Sequence, residues 1–209
     1  MTNDAKFHVA RHSERELYDR SAINQLLDNQ YVAHVGFIDQ DNQKPFVIPM
    51  GFARDNDRIL LHGSTGSRLM RQIAQGIDLC VTVTQLNAIV VARSAFNSSM
   101  NYESVMIFVI ARVLEDSEKD LALERITEKL VPGLWNYGRP LASKEIAATL
   151  IVELSLDKVS AKSREGDPSD DEEDLALPIW AGLLPIESKV GKPITAANSA
   201  AIAVPPHIA

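Results

Sequence analysis

Residues Pro45–Ala53 read PFVIPMGFA, and beyond the turn RDNDR residues Ile59–Arg68 read ILLHGSTGSR. The first stretch has the apolar content of a β-strand, yet Pro49 and Gly51 interrupt it. Proline cannot donate to a sheet ladder and glycine leaves the backbone bare, so this strand belongs at an edge, at a bulge or beside a ligand. The second stretch ends a strand at His62 and turns through glycines and hydroxyl residues. It then passes directly into a helical pattern through Leu69, Met70 and Ile73. Short strands with helices at only some of their joins do not make regular β-α-β units. They fit a small antiparallel barrel with peripheral helices, a mainly β fold.

The flanking sequence extends this pattern. Asp19–Gln30 puts Ile23, Leu26 and Leu27 on one helical face, and Tyr31–Ile38 reads as a strand that DQDNQK turns into Pro45–Ala53. Downstream, Leu79–Thr84 and Ala88–Ala92 are two strand candidates. A polar stretch then runs to Glu103, and Ser104–Leu114 is a strand apolar on both faces. Glu118–Leu130 is predicted as a helix with Leu121, Ile126 and Leu130 facing inward, stopped by Val131, Pro132 and Gly133. Lys144–Ala147 starts a short helix, and Thr149–Ser163 alternates like a final strand. The expected organisation is an N-terminal arm over 1–18, one domain over 19–190 and a flexible tail over 191–209.

Composition narrows the function. The chain has 209 residues with 21 basic and 28 acidic side chains, a net charge of −7. Asp167–Asp174, DPSDDEED, carries six of the acidic groups. Without them the charge is −1, and a nearly neutral body does not wrap nucleic acid. Such a run reads as a solvated loop, and it lacks the glycine and ligand spacing of a calcium loop. The single Cys80 forms no internal disulfide, and no C-x-x-C pair offers a zinc site. The longest strongly apolar run, Val105–Ala111, is far short of a membrane helix, and the charged start is not a secretory signal. A soluble cytoplasmic protein with no membrane partner is expected.

The strongest local chemistry is His62–Arg68. Helix-start amides, the hydroxyls of Ser64, Thr65 and Ser67 and the Arg68 guanidinium are the groups that hold a phosphate. The stretch is neither a P-loop nor a G-x-G-x-x-G fingerprint, and an ordinary serine-capped helix shows the same residues. His8 and His12 are spaced i, i+4 but lack a third metal ligand, and Cys80 lies in an apolar strand that suits a buried thiol. Trp180 in LPIWAGLLP either packs in the core or stacks on a flat ligand.

Taken in order, VIPMGFA, ILLHGSTGSR, VVARSAFNSSMNYESV and PIWAG resemble the FMN-binding split-barrel superfamily, the pyridoxamine 5'-phosphate oxidase-like proteins. The third stretch is most similar to the flavin-nucleotide-binding, nitroimidazole-resistance-like branch. The resemblance implies a homodimer with FMN at the subunit interface. Val47, Pro49, Met50 and Gly51 would lie along the isoalloxazine, and His62, Gly63, Ser64, Ser67 and Arg68 would hold the ribityl phosphate. Asn101, Tyr102 and Ser104 would meet the cofactor near the interface, Trp180 would border it, and Lys162 and Arg164 are weaker candidates. Two departures stand out. Leu69 replaces the lysine that the oxidases place after Ser-Arg, and Leu183–Ile186 replaces their Arg-Leu-His substrate element. The implied function is an FMN-dependent oxidoreductase acting on a small molecule, not a true pyridoxamine phosphate oxidase. A non-catalytic flavin binder or sensor, or a haem or deazaflavin binder with His62 as axial ligand, stands beside it.

Overall fold

The computed structural model describes Arg15, Glu16 and residues 19–208. The rest of the expected arm, with His8 and His12, lies outside the described residues. Helix α1, Arg20–Asn29, is opened by Asp19, whose carboxylate accepts from the Ser21 amide at 3.0 Å. It buries the predicted Ile23, Leu26 and Leu27. Strands β1 (Val32–Ile38) and β2 (Pro45–Asp55) form an antiparallel hairpin. Its turn is organised by Asp39, which accepts from the amides of Asp41 and Asn42. Strand β3 (Arg58–Ser64) leads into α2 (Arg68–Ala74), and β4 (Asp78–Val91) and β5 (Ser99–Ile110) make a long hairpin. The remaining elements are β6 (Arg112–Val113), α3 (Asp116–Leu130), α4 (Leu134–Tyr137), α5 (Ser143–Ala147), β7 (Thr149–Ser155), β8 (Val159–Arg164) and β9 (Gly182–Pro185).

The strands form one antiparallel sheet in the order β6-β7-β3-β2-β1-β4-β5-β8, with β9 beside β4. Strands β7 and β8 are six places apart, which in a flat sheet is about 28 Å. Only residues 156–158 connect them, a span of at most about 15 Å from Ser155 to Val159. The sheet must therefore curl on itself into a half-barrel, in keeping with the small antiparallel barrel that the pattern predicts. Its interior is filled by Ala33, Val35, Phe37, Leu61, Val81, Val105 and Val152, with α1 and α2 closing it through Leu27 and Met70. On the outside, α3 covers only Ala53, Leu60 and Ile151, using Ala122 and Ile126.

Several elements differ from the expectation. The two candidates at 79–84 and 88–92 are one strand, β4, with a bulge between Leu86 and Ala88. The polar stretch before Glu103 divides into the β4–β5 turn and, from Ser99, the start of β5, since a strand with one open face accommodates polar residues there. The predicted final strand divides into β7 and β8 at the corner that curls the sheet, and β9 follows it. Leu121 and Leu130 are each 50% exposed rather than inward. Ile126 is buried as predicted, and the face of α3 that meets the sheet is completed by Lys119 and Ala122. In the tail, the His207 ring lies against Tyr137 of α4 with centroids 5.1 Å apart.

Candidate flavin-binding face

Strand alternation divides β1 between the barrel interior, which takes Ala33, Val35 and Phe37, and an exposed outer face with Val32, His34 and Ile38. The register carries that face across the sheet. Val32, His34 and Gly36 lie opposite Gly51, Pro49 and Val47 on β2, and His34 and Gly36 lie opposite Thr82 and Cys80 on β4. Thr82, Thr84 and Leu86 in turn face Met106, Ser104 and Tyr102 on β5. The result is an open sheet surface rich in apolar groups, with Val47 at 65% exposure. A Cβ built on Gly51 would have the Tyr31 carbonyl oxygen, at 4.0 Å, as its nearest neighbour. With Pro49 and Gly51 the surface is low and flat, which fits a planar ring laid against backbone. Met50 faces the other way by alternation and packs against the core.

The turn after His62 is tightly self-bonded. The amide of Thr65 donates to Ala148 O, Ser67 N to Ser64 O, and Gly66 N to Ser64 Oγ. Ser67 caps α2 through Met70 N. Helix geometry leaves the amides of Arg68 and Leu69 without an acceptor inside α2. Gly63 has a packing role, because a Cβ there would lie 2.7 Å from Met70 Cγ. Arg68 is ion-paired with the buried Asp39, lies 3.8 Å from Asp41, and stands over the Phe46 ring. Burial pushes the Asp39 carboxyl up, but hydrogen bonds from Arg68, Gln72 and the Asn42 amide outweigh it and hold it below the usual range. The groups this turn leaves open to a ligand are the two helix-start amides, the Thr65 hydroxyl, the O–H donors of Ser64 and Ser67 and the exposed side of Arg68. His62 stands on the outer face, and loss of hydration holds its pKa below the usual imidazole value. Burial likewise pushes the Cys80 thiol up, away from a reactive thiolate.

Tyr102 and Ser104 share the outer face but lie on β5, three strands from β2, about 14 Å away. Asn101 is buried on the other side, donating to Gly166 O at 2.9 Å and accepting from Arg164. Lys162 lies opposite Ser104 on β8. Trp180 is 63% exposed, with its indole over Gly182 next to the end of β4. That end is about 25–30 Å along the strand from Thr82. One chain thus gathers Val47, Pro49, Gly51, His62, Ser64, Ser67 and Arg68 at one end, and leaves Trp180 at the other. The acidic run is not wholly solvated. The Asp170 carboxylate is buried, accepting from Arg93 N and Arg93 Nη1 at 2.7 Å each, and so ties the 165–181 strap to the β4–β5 turn.

The family model for pyridoxamine 5'-phosphate oxidase matches residues 19–163. The chain belongs to this family. Among solved structures, a flavocytochrome from Azotobacter vinelandii is 38% identical, covers 97% of this chain and 94% of its own, and superposes with a TM-score of 0.90. An FAD and heme binding protein from Mycobacterium smegmatis is 36% identical, with 93% and 95% covered and a TM-score of 0.89. A candidate 5-nitroimidazole antibiotic resistance protein from Bacteroides thetaiotaomicron shares the fold, at 18% identity, 72% and 90% coverage and a TM-score of 0.60. No curated protein matches. In this member of the family, Leu69 is a core residue, 5% exposed, and Leu183–Pro185 pair with β4 as part of β9. Among the described residues no helix is long and apolar enough to cross a membrane.

Sequence reasoning missed three of these features: His34, the Asp39–Arg68 pair and the Arg93–Asp170 tie. The first was findable, because aligning YVAHVGFI antiparallel to PFVIPMGFA sets His34 beside Pro49. The other two join residues 29 and 77 positions apart, and no local pattern marks them.

Proposed function

We propose that this protein binds a flavin nucleotide on the open face around Pro49 and Gly51 and serves as a flavin-dependent oxidoreductase of a small molecule. The observation that carries this reading is the bare, flat backbone at Gly51 on an uncovered sheet face. Two relatives above 35% identity, described as a flavocytochrome and an FAD and heme binding protein, support it. A bound flavin would supply the one- and two-electron chemistry. The chain's own residues would set its position and surroundings. Val47, Pro49 and Gly51 exclude water from one side of a ring. The Arg68 and Leu69 amides, Thr65 and Arg68 hold a phosphate, and Thr82, Thr84 and Ser104 offer hydroxyls across the face. FMN and FAD share all the parts these residues would grip, and the Mycobacterium smegmatis relative favours FAD.

A haem on the same protein is the second reading, favoured by both relatives. His62 suits it, since partial loss of hydration shifts the imidazole toward its neutral form, the form that ligates iron. The apolar outer face further supports a homodimer, in which a partner's hairpin end would bring a second Trp180 to the site. Leu183 and Leu184, in place of cationic groups, argue against pyridoxine phosphate as substrate. The test is a visible absorbance scan of the purified protein, followed by chromatography of whatever denaturation releases. Released FMN or FAD near one per subunit is expected, and a Soret band lost in His62→Ala would place the haem. Turnover with an added electron donor then separates an enzyme from a flavin sensor. A colourless protein that ignores added FMN, FAD and haem would overturn the reading.

A further inference from the structure

A cavity of about 790 Å³ lies between α3, α4 and α5, away from the open sheet face. Its apolar wall includes Leu121, Trp135 and Leu141. Leu121 is the residue that the amphipathic pattern assigns to the core, and it is half exposed here because it lines this space instead. The wall is a built one. Gly133 turns the chain at φ 84°, and the Glu128 carboxylate accepts from the amides of Gly133 at 2.6 Å and Trp135 at 2.9 Å, fixing the backbone at the start of α4.

The charges around the cavity are not balanced. Asp120 and Glu124 stand one helical turn apart on α3, and neither makes a hydrogen bond or ion pair among the described residues. Arg139 is the single cation among the lining residues, and it is already held by both oxygens of Glu145 at 2.9 and 2.6 Å. An aromatic and aliphatic wall beside two unpaired carboxylates has the chemistry of a site for a cation with an apolar body. We propose that this cavity binds an organic amine in its protonated form, with the ammonium at Asp120 and Glu124 and the apolar body against Trp135 and Leu121. The proposal does not rest on the flavin reading.

Three probes that share a naphthyl body and carry head groups of different charge test it: 2-(naphthalen-1-yl)ethylamine, 2-(naphthalen-1-yl)ethanol and the anion of naphthalen-1-ylacetic acid, titrated into the full-length protein at pH 7 by calorimetry and by the indole N–H resonances. The amine should bind about tenfold or more tightly than the alcohol, and the acetate should bind least. The Trp135 resonance should move while that of Trp180 stays. Asp120→Asn/Glu124→Gln should remove the preference for the amine and leave affinity for the alcohol as it was, and Glu124→Gln alone should lose part of it if the double variant does not fold. Equal binding of the three probes, no binding of the amine, movement of Trp180 in place of Trp135, or an unchanged preference in the folded variants would each overturn the proposal.

Discussion

Gly51 and Gly63 sit on neighbouring strands, and replacing each by valine separates binding from stability. At Gly51 the nearest atom to a new Cβ is Tyr31 O, 4.0 Å away, so the side chain enters open space. Valine also suits a strand better than glycine, by up to about 1 kcal/mol. Gly51→Val should therefore melt no lower than the wild type and up to about 2–4 °C higher. The same methyl groups would stand where a planar ring must approach, at a crowding cost of about 1–3 kcal/mol, or a flavin dissociation constant raised about 5- to 150-fold. At Gly63 a Cβ would lie 2.7 Å from Met70 Cγ and 3.2 Å from its sulfur, and Met70 is 1% exposed. Gly63→Val should lose about 1–3 kcal/mol of stability. Thermal melts and a titration that follows flavin fluorescence measure both quantities on the same samples. If Gly51→Val binds flavin as tightly as the wild type, the ring does not lie on β2. If it melts well below the wild type, the open surface itself is wrong.

The remaining expectations concern the core, the acid limb and the tryptophan. Leu61 is fully buried in β3, so Leu61→Ala should cost about 2–5 kcal/mol in denaturant unfolding, and a loss under 1 kcal/mol would mean the barrel is not packed as described. Asp39 titrates below the usual carboxylate range when folded. Its contribution is therefore complete above the unfolded value of about 3.9 and is lost as pH falls through the lower folded value. Between pH 5 and pH 2 the wild type should lose stability more steeply than Asp39→Asn, and parallel slopes would remove the Asp39–Arg68 pair from the account. Trp180→Ala, at a mostly exposed position, should shift stability by no more than about 0.5 kcal/mol while altering the emission of bound flavin. Unaltered emission would take Trp180 out of the site.

What was legible in the sequence was whatever local pattern encodes. The face of α1 at Ile23, Leu26 and Leu27, the strand that carries Pro49 and Gly51 and the Ser67 cap all follow from period and residue type, and all are found in place. The misreadings fall where tertiary contact decides. A bulge at Asn87 keeps β4 continuous through what reads as two strands, and Leu156 becomes a corner because the sheet has to close there. The helical pattern that points Leu121 inward carries no information on how little of the sheet α3 covers. Arg68 illustrates the same limit at the site. Beside Ser67 it reads as a free phosphate cation, but the β1–β2 turn brings a buried carboxylate to it.

The separation within the candidate site leads to a test of its own. Gly51 and Trp180 are both proposed to hold the ring, yet in one chain they are about 20–25 Å apart along β4. They can serve one flavin only if Trp180 comes from a second subunit, and a two-fold dimer would then build each site from the Gly51 of one chain and the Trp180 of its partner. Mix Gly51→Val with Trp180→Ala and let the subunits exchange. Half of the dimers should be mixed, and each mixed dimer carries one site with both defects and one with neither. About a quarter of all sites should then recover wild-type affinity and emission, although neither variant has any such site alone. If both residues acted within one chain, every site would keep its own defect and mixing would restore nothing. The recovered fraction therefore distinguishes a shared site from a self-contained one without knowledge of the substrate.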